Sequence, residues 1–207
     1  MFRWIAFLPI ALLSACAGGC SMARALYVAV VHNSGAPPRK ELARIDERER
    51  ELARTLSRRR VLILPVAVLG RTVRYDTAAA AAIATQLRAK NLAIAMAGTD
   101  SLVLPFQRQP NEALTLWTRF KALSANITEH PRAGADYVVQ VDVLGAPERG
   151  GIGAVHVMAV TGKGEMAYRR LWNSHQALYK EIKPRSMEDA VRMVVTDLAR
   201  NAGGVAN

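Results

Sequence analysis

Cysteine is nearly missing from this 207-residue chain: there are two, Cys16 and Cys20, both within the first twenty positions. Everything after residue 20 therefore folds without disulfides and without thiolate metal sites, and has to rely on its core. Acidic residues are also scarce, 17 against 28 Lys and Arg, for a formal net charge of +11. After Val31 no apolar run is long enough to cross a bilayer. Signatures of catalysis are missing too. There is no G-x-S-x-G, no H-E-x-x-H and no Walker loop. The four histidines, His32, His130, His156 and His175, lie far apart in sequence and show no metal-ligand spacing. Asp136 and Asp142, six apart on an expected strand, would stand about 20 Å apart, too far to share one glycosidic bond. These absences lead to the expectation of a non-enzymatic protein with no metal and no cofactor. An enzyme acting on cell-wall or lipid substrates, with a site assembled only by the fold, is the alternative.

What is present starts at the N-terminus, MFRWIAFLPIALLSACAGGC. Arg3 supplies a short positive region, and residues 5–13 an apolar stretch of signal-peptide length. Leu13, Ser14, Ala15 and Cys16 then resemble the bacterial lipobox: a branched apolar residue, two small residues, and a cysteine whose thiol takes up diacylglycerol. A Cys16–Cys20 disulfide would close too short a loop to staple a fold. Cys20 has Ala17 where a lipobox has a branched residue, so Cys16 is the expected lipidation site. Two other readings stay open, an uncleaved anchor over residues 4–31 and a plain secretory signal. Gly18, Gly19, Ser21 and Arg24 interrupt the first. All three send the chain out of the cytoplasm, which removes nucleic acid as a partner despite the basic charge. No aspartate follows Cys16, and in Gram-negative lipoproteins that resembles sorting to the outer membrane. A lipoprotein with several acyl chains is held stably, where one chain holds only marginally.

Residues 33–40, NSGAPPRK, read as a linker. The LYVAVV before them is either a short strand or an apolar tether. In residues 41–60, Leu42, Ile45, Leu52 and Leu56 recur at helical spacing, with Glu49 interrupting the stripe. About two heptads with a charge in the seam fall short of a coiled coil. The expectation is a charged spacer helix, solvated or packed at the edge of the domain. It ends in Arg58, Arg59 and Arg60, candidates for contact with anionic lipid headgroups. From Val61 the run VLILPVAV reads as a strand buried on both faces, bulged or ending at Pro65, which cannot donate to a ladder. DTAAAAAIATQLRAK reads as a helix capped by Asp76 or Thr77, and LAIAMA as a short strand. SLVLPFQRQP reads as a loop. Asn111 caps a second helix with Ala113, Leu116, Trp117, Phe120 and Leu123 on its apolar face. In ADYVVQVDVLG, Tyr137, Val139, Val141 and Val143 alternate with Gln140 and Asp142, as in a half-buried strand. TGKGE marks a hairpin turn. Ser186 and Asp189 are spaced as a capping box before a final amphipathic helix.

This order of elements resembles the α+β domain shared by the TolB amino-terminal domain, the curli-export lipoprotein and the lipoprotein activators of penicillin-binding proteins. The resemblance rests on Gly134, Ala135, Asp136, Tyr137, Val138 and Val139, and on Thr161, Gly162, Glu165 and Trp172, and it covers residues 61–201. Gln140 stands where a glycine is common in that family, and Lys163 and Gly164 lengthen the turn. The family implies a lipid-anchored, non-enzymatic domain that docks on envelope machinery, with no catalytic residues to carry over.

The expectation is thus an α+β domain with a mixed sheet of about four or five strands, including a C-terminal hairpin, flanked by about three helices. Residues 1–15 would be the lipoprotein signal, 16–60 the anchor, linker and spacer helix, and 61–207 the domain. The partners expected are the membrane, through lipid on Cys16, and another envelope protein, at the outer membrane facing the periplasm. An oligomerising lipoprotein of an export assembly is the structural alternative.

Overall fold

Pro65 organises the sheet. In the computed structural model, which describes residues 38–106, 109 and 111–203, the run VLILPVAV forms two strands, β1 (Arg60–Ile63) and β2 (Val66–Leu69). Both lie parallel to one edge of a long strand, β5 (Tyr137–Ala146): Ile63 is opposite Val139, and Ala67 is opposite Asp142. Leu64, Pro65 and Val66 therefore face only Gln140 and Val141, a one-residue bulge placed where proline has no N–H to offer. The Gln140 amide spans the gap, donating to the Pro65 carbonyl at 3.2 Å and the Val141 carbonyl at 2.8 Å.

The split strand has two neighbours on its outer edge. β3 (Val73–Asp76) runs antiparallel to β2, and β4 (Ile94–Ala97) runs parallel to β1. On the other side of β5 come β6 (Gly151–Thr161), antiparallel to β5, and β7 (Met166–Asn173), antiparallel to β6, which is the expected hairpin. The result is a mixed, seven-stranded α+β sheet among the described residues. It exceeds the expected strand count because Pro65 divides one run and because the polar stretch Val73–Asp76 pairs as a strand.

Helices cover both faces. α1 (Arg39–Thr55) precedes the sheet. α2 (Thr77–Ala89) starts at the Asp76 cap, whose carboxylate accepts from Ala79 N at 2.8 Å, and buries Ala80, Ile83, Ala84 and Leu87. α3 (Glu112–Glu129) is capped by Asn111, which accepts from Ala113 N at 2.8 Å. α4 (Ala177–Ile182) is short, and α5 (Met187–Gly203) opens with the expected box: Asp189 N donates to Ser186 Oγ at 3.2 Å, and Ser186 N to Asp189 Oδ2 at 3.1 Å. The α2 and α5 side chains pack with Tyr137, Val139, Val141 and Val143 of β5. Trp117, Phe120 and Leu123 of α3 pack with Val138, Met158 and Val160 on the opposite face. At about 1.5–3 kcal/mol per buried large apolar side chain, these two layers dominate stability.

Of the two readings of the charged helix, packing at the edge of the domain holds: Ile45 and Leu52, with Leu56 in the turn just beyond, are 1–4% exposed and belong to the two cores. Glu49, which interrupts the stripe, receives the guanidinium of Arg170 on β7. Arg48 donates to the Met166 carbonyl at 3.3 Å and to Glu165 at 2.8 Å. α1 thus lies against the last strand of the sheet, an edge that would otherwise stand open. The compact unit that holds the sheet starts at Pro38. The expectation of a half-buried β5 gives way. Gln140 and Asp142 are 0% exposed, because α3 and the loop before it cover the face left to solvent by the alternation. Among the described residues no helix is long and apolar enough to cross a membrane.

Candidate functional site

The family-like motifs and the arginine run converge at one end of β1 and β5. Asp136, just before β5, exchanges two bonds with Arg60: Arg60 N donates to Asp136 Oδ2 and Asp136 N to the Arg60 carbonyl, each at 2.8 Å. The backbone bond from Arg60 holds the Asp136 carboxyl below its ordinary range. The TGKG turn docks on the same corner, with Gly162 N donating to the Asp136 carbonyl at 2.9 Å and Arg132 N to the Gly162 carbonyl at 3.1 Å. A Cβ on Gly162 would collide with the Ala135 carbonyl, so glycine is required for this close approach. Gly164, at φ +90°, is buried against Ser124 and Thr128 of α3, and Ser124 Oγ donates to its carbonyl at 2.6 Å. The hairpin turn is fixed on both sides, and the Lys163 side chain is left exposed.

These turns enclose a cleft of about 570 Å³ lined by five cations, Arg48, Arg59, Arg60, Arg132 and Lys163, and three acids, Glu51, Asp136 and Glu165. Arg48 pairs with Glu165 at 2.8 Å, Arg59 with Glu51 at 3.0 Å, and Arg60 with Asp136 at 3.6 Å. Arg132 reaches Asp100 only at 3.9 Å, and Asp100 is 81% exposed. Among the described residues no ion pair holds Lys163. The cleft keeps a surplus of positive charge on Arg132 and Lys163.

An apolar strip adjoins it. Arg60 is the register partner of Ile94 on β4. Ile94 is 53% exposed, Met96 43% and Val103, in the following loop, 82%. The N–H groups of Ile94 and Gly98 point inward, to the carbonyls of Arg59 and Ile63. Strand alternation therefore turns the backbone groups of Ala95 and Ala97 outward. Arg88 caps one of them, donating to the Ala95 carbonyl at 2.6 Å.

Two of the three arginines singled out from the sequence, Arg59 and Arg60, thus line the cleft and are already ion-paired. Arg58 is exposed and has no ion pair among the described residues. Cys16 lies outside the described residues. Sequence reasoning missed Arg132, Lys163, Ile94 and Met96. The GADY and TGKG motifs lie at this corner, but their residues are ones that turns and strand starts use anyway, and nothing in LAIAMA shows which side chains a helix would leave uncovered.

A second polar cluster is interior. Arg119 of α3 forms a bidentate pair with Asp142, using Nε and Nη2, the latter at 2.8 Å, and Nη1 donates to the Leu104 and Pro105 carbonyls at 3.1 and 3.3 Å. His156 faces Asp142 across β5 and β6, is 0% exposed, and has no hydrogen-bond partner on either ring nitrogen. Burial holds the imidazole below its ordinary pKa range. Solvent does not reach this cluster, and its role is to hold α3 and the preceding loop on the sheet. A separate groove of about 460 Å³ is bordered by Arg74, Tyr75, Glu148 and Met187, with Arg74 paired to Glu148 at 2.9 Å. Among the described residues no three His, Cys, Asp or Glu side chains group as metal ligands.

No protein-family model matches the chain, and no curated protein matches it. Among solved structures it is similar to a dodecameric PelC variant from Paraburkholderia phytofirmans, with 14% identity over 66% of this chain and 85% of that one. The TM-score is 0.32, a likeness too distant to assign fold or function.

Proposed function

We propose that this chain is an envelope lipoprotein, anchored by lipid on Cys16, whose α+β domain is a non-enzymatic adaptor that docks on another envelope protein. The reading is supported at the anchor by the lipobox Leu13, Ser14, Ala15, Cys16 and by the sequence resemblance to the TolB and curli-export group. The observation that carries the docking role is the apolar strip on β4: Ile94 and Met96 are large, adjacent on one face and about half exposed, beside outward backbone groups of Ala95 and Ala97. Exposed apolar side chains grouped on an open strand edge mark a surface meant to be covered. The outer membrane, facing the periplasm, is the location this reading assigns.

Two measurements test it. Cys16→Ser should abolish labelling by a palmitate analogue and leave an unprocessed precursor; normal labelling would sink the anchor assignment. Crosslinking in intact cells followed by purification of the full chain should yield one envelope partner at constant stoichiometry, reduced by a double Ile94→Ser and Met96→Ser change. Recovery of only the uncrosslinked monomer, or a complex indifferent to that change, would remove the adaptor role.

A further inference from the structure

We infer that the partner surface is an extended acidic segment, lying along β4 and placing a carboxylate in the cleft beside Arg132 and Lys163. The inference rests on the adaptor reading and supplies its chemistry. Three features meet at this corner. β4 offers the outward N–H and C=O of Ala97 and the N–H of Ala95, while Arg88 already occupies the Ala95 carbonyl. An added strand has hydrogen bonds available there, and side chains alternating along it would meet Ile94 and Met96 on one face. The strip runs directly into the cleft, since Ile94 is the register partner of Arg60. The surplus charge in the cleft is positive, held by Arg132 and Lys163.

The cleft's shape selects among occupants. An anionic bilayer is flat and rewards a continuous field of cations. Here Glu51, Asp136 and Glu165 are interleaved with the arginines, and the surplus positive charge, on Arg132 and Lys163, borders a cleft, which suits one discrete anionic group. A second copy of this chain would bring the same surplus of cations to the corner, in a protein of net charge +11, and like charges repel. An acidic segment with apolar residues at alternate positions satisfies the strand edge, the strip and the cleft together.

The test uses the full chain in its own membranes, with a photo-crosslinking amino acid at Met96 in one version and at Lys163 in another. Both versions should trap the same protein, with adducts in one stretch that carries Asp or Glu. In binding assays with a synthetic peptide of the trapped stretch, Arg132→Gln and Lys163→Gln should each weaken affinity by up to about fivefold, with less effect at high salt. Lys180→Gln, distant from the cleft, should leave affinity unchanged. Adducts to lipid, adducts to a second copy, different proteins at the two positions, an uncharged or basic trapped stretch, or no adduct would each overturn the inference. If both positions trap one envelope protein through a basic stretch, the adaptor reading stands and only this inference fails. If the adducts go to lipid alone, both fail.

Discussion

The carboxylate of Glu49 lies against the guanidinium of Arg170, joining the charged N-terminal helix to the last strand of the sheet. Arg170 also donates to Asn201 of α5 at 3.2 Å and stacks over the Tyr168 ring at 4.7 Å. Tyr168 in turn donates to Asp197, and Asn201 donates to the Tyr168 hydroxyl at 2.9 Å. One network thus ties α1, β7 and α5. A chain starting at Pro38 should unfold cooperatively, whereas one starting at Val61 should be insoluble or bind a hydrophobic dye, having lost three buried side chains at about 1.5–3 kcal/mol each. Glu49→Gln, at a pair still 20–29% exposed, should cost about 1–2 kcal/mol in urea titrations. A fully cooperative, unchanged melt of the Val61 chain would show that α1 is dispensable.

Arg119 and Asp142 are both buried, so removing one partner strands the other. Arg119→Met should cost about 3–5 kcal/mol by leaving an unpaired interior carboxylate. Replacing both, as Arg119→Met with Asp142→Leu, should recover much of that loss. Denaturant midpoints for the two variants decide it; a double variant no better than the single one would contradict this account.

Glycine at 162 is required by backbone contact, and glycine at 164 by both contact and a positive φ. Gly162→Ala and Gly164→Ala should each destabilise by about 1–3 kcal/mol. Gly134→Ala, where a Cβ meets nothing within 4 Å, should be close to neutral in the same thermal melts. Equal effects at all three positions would argue against a docked turn.

Asp136 gives a pH signature. Its carboxyl is held below the ordinary range in the folded protein, so the unfolded chain binds the proton more readily. Its contribution is therefore complete above the unfolded carboxylate pKa and is lost as the pH falls through the folded value. Asp136→Asn should flatten the acid limb of the stability curve and leave its alkaline side parallel to that of the parent. An acid limb of unchanged slope would assign the pH dependence elsewhere, with Asp189, lowered by backbone bonds from Arg185 and Ser186, the next group to replace.

Local signals reported local facts well. The bulge at Pro65, the caps at Asp76 and Asn111, the Ser186–Asp189 box and the hairpin through TGKG all follow from chemistry within a few residues, and each is present. What the sequence hid depends on partners far along the chain. Gln140 and Asp142 look like solvent-facing residues until α3 closes over them with Arg119. Glu49 looks like a flaw in an apolar stripe until Arg170, 121 positions later, meets it. The candidate site was half legible for the same reason. Arg59 and Arg60 stood out as a run, but Arg132, Lys163 and Ile94 come from three other segments that only the sheet brings to one corner.

The placement of β5 also constrains how the fold can form. Among the described residues β5 is the only strand that touches both halves of the split strand, yet its partners there lie more than seventy residues beyond them. The hairpin strands that follow it are its near neighbours in sequence. Closing a short loop comes before closing a long one, so β5, β6 and β7 form a template and β1 and β2 join it late. Until residue 144 is available, the valines and leucines of β1 and β2 lack their central partner. Refolding should therefore be limited by this long-range closure and be slow for a domain of this size.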